Sequence, residues 1–267
     1  MLCFPNCKIN IGLYITNRRS DGYHDLETVF YPVALKDALE VVPAKETNIH
    51  ISGLAVAGIE QDNLVWKAYM LLKEQFPDKV PALDIFLHKA IPMGAGLGGG
   101  SADGAFMLWL VNDYCKLNLS HEDLAALALQ LGSDCPFFIY NTPQFAKGRG
   151  ELMRPISLDL SGFSIVLVCP PIHVSTARAF QMIKPQIASF DLQDLNTLPI
   201  EQWKKYITND FEDAVFALHS ELATIKTQLY KQGAIYASMS GSGAAIYGIF
   251  EKGKRATIEN IQAHYIL

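Results

Sequence analysis

A glycine-rich segment in the middle of the chain constrains the fold more than any other stretch of the sequence. Residues 91–106 read IPMGAGLGGGSADGAF, and five of the seven positions 94–100 are glycine. Glycine loses more conformational freedom on folding than any other residue, so a cluster indicates backbone at positive φ or main chain in close approach to another molecule. A simple tight turn needs only one or two glycines. The segment therefore predicts a loop that is shaped around a ligand.

The residues on either side predict a strand before this loop and a helix after it. Leu83, Ile85 and Leu87 alternate along the chain as they do in a strand. The segment SADGAFMLWLVNDYCKL has the length and apolar content of a mostly buried helix. The first turn of a helix presents unpaired N–H groups and the positive end of the helix dipole, which together suit an anion. The sequence thus predicts a phosphate cradle.

Two well-known phosphate loops do not fit this segment. Gly94, Gly96 and Gly99 satisfy the spacing G-x-G-x-x-G of dinucleotide-binding proteins. That fingerprint also needs an acid at the end of a second strand, whereas Asp113 falls inside the same predicted helix. A Walker loop is excluded because no Gly-Lys-Ser/Thr follows the glycines. A phosphate cradle of another kind is predicted.

Composition excludes several classes of protein. Half of the 267 residues are hydrophobic and 18% are charged, which is typical of a globular chain. A net charge of −5 without a long run of Lys or Arg argues against a nucleic-acid surface. The five cysteines are scattered, which favours reduced thiols over a zinc site. Without a signal-like N-terminus or an apolar run of about 18 residues, a cytoplasmic protein that binds no membrane is predicted.

The remaining periodicity predicts an α+β fold. Ile9, Ile11, Leu13 and Ile15 alternate as in a half-buried strand, with Lys8 and Asn10 on its polar face. Asp62 can cap a helix whose apolar face includes Leu64 and Ala68, and Ser120 starts a helix with Asp123 three residues on and Gly132 as its stop. The segment AIYASMSGSGAAIYGIF predicts two strands around Gly241 and Gly243. Strands and helices are interspersed without a regular βαβ repeat.

Three motifs in order carry a resemblance to a known family. The pattern Pro92-x-x-x-Gly96-Leu97-Gly98-Gly99-Gly100-Ser101-Ala102 resembles the second motif of the GHMP kinases. CKINIGLYITNRRSDGYHDLETVF and SMSGSGAAIYGIF resemble the first and third motifs, and the resemblance covers residues 7–250. R-x-D-G-Y-H and L-G-S-D-C-P-F are most similar to the branch that acts on a cytidine diphosphate-linked methylerythritol in non-mevalonate isoprenoid synthesis.

This resemblance implies a fold and a reaction. The fold is a two-domain GHMP kinase with an N-terminal ATP-binding domain, residues 1–155, a C-terminal domain of ferredoxin-like topology, residues 156–267, and the active site in the cleft between them. The enzyme would transfer the γ-phosphoryl group of ATP, with Mg²⁺, to a hydroxyl of that small-molecule substrate. No nucleic-acid partner is implied, and the oligomeric state, monomer or homodimer, stays open.

The resemblance also implies roles for the residues that match the family's motifs. Lys8 and Asp134 match the catalytic positions, and Asn63 and Lys89 match positions that line the adenine pocket. Ser101 would lie near the phosphates and Mg²⁺. The ATP phosphates would be wrapped by Pro92, Met93, Gly94, Ala95, Gly96, Leu97, Gly98, Gly99, Gly100, Ser101 and Ala102. Ala95 stands where a glycine is common, which is tolerated unless that residue takes positive φ.

The substrate-binding positions include an aromatic pair. Tyr23 and His24 match the residues that bind cytosine, one by stacking on the base and the other by a hydrogen bond to its edge. The other positions implied for the substrate are Asn10, Thr176, Phe180, Gly241 and Gly243.

Alternatives remain at this point. Taken singly, Lys8 could merely solubilise an edge strand, and Asp134 could merely cap the turn before Pro136. Another GHMP kinase, for homoserine or mevalonate, is one rival, although a small aliphatic alcohol offers no base for the DGYH segment. A nucleotide-binding sensor that has lost catalysis is the other rival, and the presence of both Lys8 and Asp134 argues against it.

Overall fold

The computed structural model describes residues 1–56, 58–254, 256–258 and, for the backbone, 264–266. The strands are β1 (Leu2–Cys3), β2 (Asn6–Arg18), β3 (His24–Lys36), β4 (Ala38–Pro43), β5 (Asn48–Gly53), β6 (Leu83–Lys89), β7 (Gln144–Gly148), β8 (Leu152–Pro155), β9 (Phe163–Val168), β10 (Tyr236–Met239), β11 (Ile246–Glu251) and β12 (His264–Ile266). The helices are α1 (Leu64–Gln75), α2 (Gly99–Tyr114), α3 (His121–Leu131), α4 (Cys135–Tyr140), α5 (Thr176–Met182), α6 (Ile200–Tyr206), α7 (Phe211–Leu218) and α8 (Ser220–Lys231). The predicted α+β class is confirmed.

The chain forms two compact units that alternate along the sequence. The first comprises Met1–Cys7, Ala34–Met93 and Gly98–Thr142, and the second comprises Lys8–Val33, Gly94–Leu97 and Pro143–Leu267. The single boundary predicted between residues 155 and 156 stays a prediction. The units are defined by which residues pack together in space. Each unit therefore contains three separate stretches of the sequence.

The first unit is a four-stranded sheet with helices. Its strand order is β1-β4-β6-β5, in which β5 runs parallel to β6 and the other pairs are antiparallel. Helix α2 packs against α1, α3 and α4, and most of its side chains are buried. A helix that is apolar on nearly all sides is stable only when neighbours surround it. The helix that follows the glycines is therefore a central element of this unit, as its composition predicts.

The helix caps of this unit test the predicted starts and stops. Ser120 and Asp123 form the predicted capping box of α3, and the N–H of Gly132 bonds to the carbonyl of Ala128 at the end of that helix. The cap predicted for α1 is wrong by one residue. Asn63 Oδ1 accepts the N–H of Val65 at 2.9 Å, while Asp62 ends a short 3₁₀ turn. Asn and Asp are equally good caps, so their order alone does not choose between them.

The second unit contains the other two sheets. One has the strand order β2-β3-β7-β8, and the other has the order β10-β11-β9-β12 with antiparallel pairs throughout. The second of these orders is that of the ferredoxin-like sheet that the resemblance implied. Its core packs Val166, Val168 and Ile246 against Phe211 and Leu222 of the helices.

Strand β2 differs from its prediction. Residues 6–15 are buried without interruption, so the strand is not half-exposed as its alternation suggested. The two faces do differ in chemistry, but both are covered. Alternation along a strand separates polar from apolar positions, whereas burial depends on what packs against each face. In the described part of the chain, no helix combines the length and apolar character needed to cross a membrane.

Candidate active site

The glycine loop, residues 92–102, adopts the backbone conformation that its composition predicts. Gly94, Gly96 and Gly98 have φ values of +67°, +77° and +71°. Side chains other than glycine rarely adopt this left-handed region, because Cβ then crowds the following carbonyl. Ala95 is not at positive φ. Its methyl group is therefore accommodated, as expected.

Gly96 also makes a close approach to another segment. A Cβ atom on Gly96 would lie 2.0 Å from the carbonyl oxygen of Ser240. Ser240 Oγ donates a hydrogen bond of 2.8 Å to the carbonyl of Gly96, and the N–H of Ala245 donates one of 3.1 Å to the carbonyl of Ala95. A Cβ on Gly241, at φ +56°, would lie 3.2 Å from Gly96 Cα. The second and third motifs are thus packed backbone against backbone within the second unit.

The first motif reaches the same carbonyl through Lys8. The Lys8 side chain is buried, and its Nζ donates to the carbonyl of Gly96 at 3.1 Å and to Asn10 Oδ1 at 2.6 Å. It also lies 5.0 Å above the ring of Phe30. Asn10 is fixed in turn, since its Nδ2 donates to Thr28 Oγ1 at 3.0 Å. The alternative that Lys8 solubilises an edge strand is excluded, because the ammonium group is internal.

Asn10 links the first and third motifs directly. Its backbone N–H donates to Ser240 Oγ at 3.2 Å, and its carbonyl accepts from Tyr247 Oη at 2.8 Å. Ser240 therefore accepts from Asn10 while it donates to Gly96. All three sequence motifs converge within the second unit, and their hydrogen bonds centre on the carbonyl of Gly96.

The later part of the glycine loop opens helix α2 in the first unit. Gly98, in the left-handed conformation, is the N-cap. A Cβ on Gly99 would lie 2.8 Å from Ile91 Cγ2, whereas one on Gly100 would meet only Met93 Cε, at 4.0 Å. The first turn of α2 contains no acidic side chain, so nothing there competes with an anion for its N–H groups. Ser101 lies in this turn and is hydrogen-bonded to the Cys135 side chain.

A buried cluster of two carboxylates and one lysine lies beneath this turn. Lys89 Nζ bonds to Asp37 Oδ2, and it donates to Asp103 Oδ2 at 2.6 Å. All three side chains are 3% exposed or less. Asp37 Oδ1 also accepts the N–H groups of Ala90 and Ile91, at 2.5 and 2.8 Å. The cluster therefore joins the residues before the glycine loop to the helix after it.

The cluster is electrically unbalanced when both acids are ionised. Burial, opposed by Lys89 and reinforced by Asp37, raises the pKa of Asp103 to about 8. Among the described residues, Asp103 Oδ1 is buried without a hydrogen-bond partner. The implied role of Lys89 in lining the adenine pocket stays a prediction, and its ammonium is held by these two acids. Asp37 was not predicted from the sequence, because its partners lie far along the chain.

Asp134 lies in the turn between α3 and α4, in the first unit. Its side chain is partly exposed and does not cap helix α4. Ser133 Oγ donates to Asp134 Oδ1 at 3.5 Å. The alternative that Asp134 serves only to cap the turn is therefore not supported by its side-chain geometry. Burial raises the pKa of the neighbouring Cys135 thiol to about 12, so this cysteine is not a nucleophile at neutral pH.

The positions implied for the base lie together in the second unit. The His24 and Phe180 rings are stacked, with centroids 5.0 Å apart and 19° between their planes. Phe180 is supported edge-on by the buried ring of Phe211 at 4.9 Å. Tyr23 is 56% exposed, and the guanidinium of Arg149 lies 5.0 Å above its ring. The structure thus forms an aromatic surface here, and it adds Arg149, which was not predicted from the sequence.

Three other predicted positions have structural roles that are visible directly. Thr176 Oγ1 and Ser242 Oγ share a hydrogen bond of 2.8 Å. Gly243 has φ +92°, and a Cβ there would lie 2.7 Å from Met239 Sδ. Asn63 caps α1. Its role in lining the adenine pocket stays a prediction. Among the described residues, no group of three or more His, Cys, Asp or Glu side chains is placed to hold a metal ion.

Comparison with known proteins agrees with these features. Residues 63–142 match the model of the GHMP kinases N terminal domain, and residues 192–266 match that of the GHMP kinases C terminal domain. The 4-diphosphocytidyl-2-C-methyl-D-erythritol kinase of Bacteroides thetaiotaomicron is 50% identical over 255 residues, which covers 94% of this chain and 92% of the relative. The enzyme of the same name from Bacteroides fragilis is 47% identical over 269 residues, covering 99% and 97%.

The chain is also similar to solved structures. A crystal structure of 4-(cytidine 5'-diphospho)-2C-methyl-D-erythritol kinase superposes with a TM-score of 0.77 at 31% identity, covering 93% of this chain and 90% of that one. Mevalonate kinase of Methanococcus jannaschii superposes with a TM-score of 0.68 at 14% identity, covering 94% and 91%, which shows the fold alone. On the strength of its three converging motifs, both domain matches and these relatives, the chain belongs to the GHMP kinase family.

Proposed function

We propose that the protein transfers the γ-phosphoryl group of ATP to a hydroxyl of 4-diphosphocytidyl-2-C-methyl-D-erythritol, giving the 2-phosphate in non-mevalonate isoprenoid precursor synthesis. The observation that carries this proposal is the 50% identity, over 94% of the chain, with a curated kinase of that name. The convergence of three motifs on one carbonyl supports the phosphoryl-transfer chemistry. The sequence further predicts a cytoplasmic enzyme.

The glycine loop and helix α2 are suited to bind the ATP phosphates. Positive φ at Gly96 and Gly98 shapes the loop, and the 16-residue helix presents its N–H groups at Ser101 and its neighbours. A phosphate at a helix N-terminus gains both hydrogen bonds and the favourable end of the helix dipole. Mg²⁺ would be held chiefly by the phosphates with the Ser101 hydroxyl, and it would neutralise charge on the β- and γ-phosphoryl oxygens.

Lys8 and Asp134 are the proposed catalytic residues. Lys8 is held by Asn10 and by the carbonyl of Gly96, so its ammonium has a defined position in the second unit. A fixed cation offsets the charge of the transferring phosphoryl group without reorganising during the reaction. Asp134 would orient the substrate hydroxyl and accept its proton. Since phosphoryl transfer has a loose transition state, positioning accounts for much of the catalysis.

The aromatic surface supports the choice of substrate. Tyr23, His24 and Phe180 offer flat aromatic faces on which a nucleobase could stack. A small aliphatic alcohol has no nucleobase and would make no use of them. Stacking on aromatic side chains contributes about 1–3 kcal/mol per base in single-strand binders. Homoserine and mevalonate kinases share the fold at 17% and 14% identity, which supports no substrate assignment.

The proposal is tested by incubating the protein with ATP, Mg²⁺ and one alcohol at a time. The alcohols are the cytidylyl substrate, homoserine and mevalonate, and mass spectrometry measures the gain of one phosphate. We expect transfer to the first alone. Comparable transfer to homoserine or mevalonate would establish the rival kinase assignment. Binding of ATP without transfer to the cytidylyl substrate would instead favour a nucleotide sensor.

A further inference from the structure

The register of one sheet brings two turns of the second unit to the same edge. Strands β3 and β7 are antiparallel, with Leu26 opposite Gly148 and Glu27 opposite Lys147. The turn that carries Tyr23 immediately precedes β3, and the turn between β7 and β8 immediately follows Gly148. Since antiparallel partners place the start of one strand beside the end of the other, Arg149 emerges next to Tyr23.

Neighbouring residues fix the backbone of the turn that carries Arg149. Gly148 and Gly150 have φ values of +70° and +110°, which glycine adopts without strain. The N–H of Arg149 donates to Glu151 Oε2 at 2.6 Å. The backbone of Arg149 is therefore held by the residue two positions later, while its side chain extends from the turn.

The Arg149 side chain is engaged with an aromatic face. Its guanidinium carbon lies 5.0 Å from the Tyr23 ring centroid, which is within the range of a cation–π contact. Its Nε also forms a long ion pair with Glu151, at 4.0 Å from Oε1. Other cations near these turns have shorter ion pairs. Lys147 lies 2.9 Å from Glu27, and Arg19 lies 3.0 Å from Asp21.

The Tyr23 side of the contact is also held in place. The backbone N–H of Tyr23 donates to Asp21 Oδ1 at 3.1 Å. This hydrogen bond is the main reason that the pKa of Asp21 is lowered, and the charges of Arg19 and Arg149 act in the same direction. The backbone of Tyr23 is thus fixed, whereas the residue is exposed and has Arg149 over one face of its ring.

We propose that Arg149 is a substrate-positioning residue that acts through Tyr23. It covers one face of the ring and holds the ring in a single orientation, so that the nucleobase of the substrate stacks on the opposite face. The inference rests on the proposed function, because it requires a substrate that carries a nucleobase. Preorganising an exposed aromatic ring lowers the ordering cost of binding, so the effect belongs to KM and not to kcat.

The test compares Arg149→Met, Arg149→Lys and wild type. Methionine keeps an unbranched apolar stem without the charge, and lysine keeps a cation that can lie over the ring. We expect Arg149→Met to raise the KM for the cytidylyl substrate about two- to fivefold, the scale of an exposed cation–π contact, and to leave kcat and the KM for ATP unchanged. Arg149→Lys should keep the KM for the cytidylyl substrate close to the wild-type value.

The matched control is Lys147→Met, which removes a cation from the same hairpin. Lys147 lies 5.3 Å above the ring of Phe145 and pairs with Glu27, so it should have no effect on the KM for the substrate. Thermal unfolding of each variant checks that the hairpin is intact. A loss of equal size in Lys147→Met would show a general effect of the hairpin and overturn the proposal.

Calorimetry with nucleotide fragments separates contact with the base from contact with phosphate. If Arg149 acts through Tyr23, Arg149→Met weakens cytidine and CDP by the same factor, and it has no effect in a Tyr23→Ala background. Weaker binding of CDP alone would mean that the guanidinium binds the diphosphate directly, and the proposal would be wrong. If the wild type binds CDP but does not phosphorylate the cytidylyl substrate, the proposed function fails, while the Arg149 comparison can still be read.

Discussion

Replacing Gly96 by alanine is expected to destabilise the protein and to impair turnover. Two independent costs act at this position. The backbone has φ +77°, which costs a side chain about 1–2 kcal/mol. The new Cβ would also lie 2.0 Å from the carbonyl oxygen of Ser240, a backbone atom that cannot rotate away. The two segments must therefore separate by about 1.4 Å to reach an ordinary van der Waals contact.

That separation would break the hydrogen bonds that meet at this point. The Ser240 Oγ bond to the carbonyl of Gly96 is 2.8 Å long and the Lys8 Nζ bond is 3.1 Å long, so a shift of this size takes both beyond hydrogen-bond distance. A neutral bond contributes about 0.5–1.5 kcal/mol and a charged one about 1.5–3 kcal/mol. With the backbone cost, we expect a loss of about 3–6 kcal/mol in the free energy of unfolding.

Denaturant unfolding and steady-state kinetics measure the two consequences. Native domains have a free energy of unfolding of about 5–15 kcal/mol, so a loss of this size leaves the variant only marginally stable. Displacement of Lys8 should also lower kcat at least tenfold. Gly162→Ala is the matched control. A Cβ there meets nothing within 4 Å, and its effect should stay within about 0.5 kcal/mol. A Gly96→Ala variant with wild-type stability and wild-type kcat would refute the argument that this contact holds the motifs together.

Four further outcomes are expected. Because the pKa of Asp103 is raised to about 8 in the folded protein and is near 4 in the unfolded chain, its contribution to stability is fully present below pH about 4 and decreases as the pH rises to 8. Asp103→Asn should remove this decrease while the charges of Lys89 and Asp37 are kept. Urea unfolding from pH 4.5 to 8.5 measures it, and parallel plots of unfolding free energy against pH for the variant and the wild type would show that the idea is wrong. Gly98→Val should weaken ATP binding strongly, because a β-branched residue resists φ +71°; unchanged affinity by calorimetry in a folded variant would exclude the phosphate role. Tyr23→Ala should raise the KM for the cytidylyl substrate by about 5- to 150-fold and leave that for ATP nearly unchanged, whereas equal activity on a substrate without cytosine would contradict it. Asp134→Asn should bind both substrates and lose about 10²–10⁴-fold in kcat, and Lys8→Met should cost less in that background than alone; fully additive losses would show that the two residues act independently.

Much of the fold could be predicted because the signals are local. The alternation of Leu83, Ile85 and Leu87 fits strand β6, and Ser120 and Asp123 form the box that caps α3. The positive φ values of the glycine loop follow from its composition. Periodicity and turn chemistry depend on neighbours within a few residues, so they survive in the sequence as readable patterns.

The resemblance to the GHMP kinases identified the site residues, and the structure showed which groups surround them. The sequence distinguished the two faces of β2, but only the packing of the glycine loop and of Ser240 near Lys8 and Asn10 shows that the polar face is buried. The one-residue error at the start of α1 arose because Asp62 and Asn63 carry the same local signal.

Two features were decided by tertiary structure alone. Lys89 meets Asp37 across 52 residues and Asp103 across 14, and Arg149 reaches Tyr23 through the register of β3 and β7. Strand register and the burial of charged groups depend on which distant segments pair, and a single sequence contains no periodic signal for such pairs. The sequence by itself therefore determined several of the elements, the glycine geometry and the family, whereas long-range pairing decided which charges are buried and which side chains support the aromatic residues.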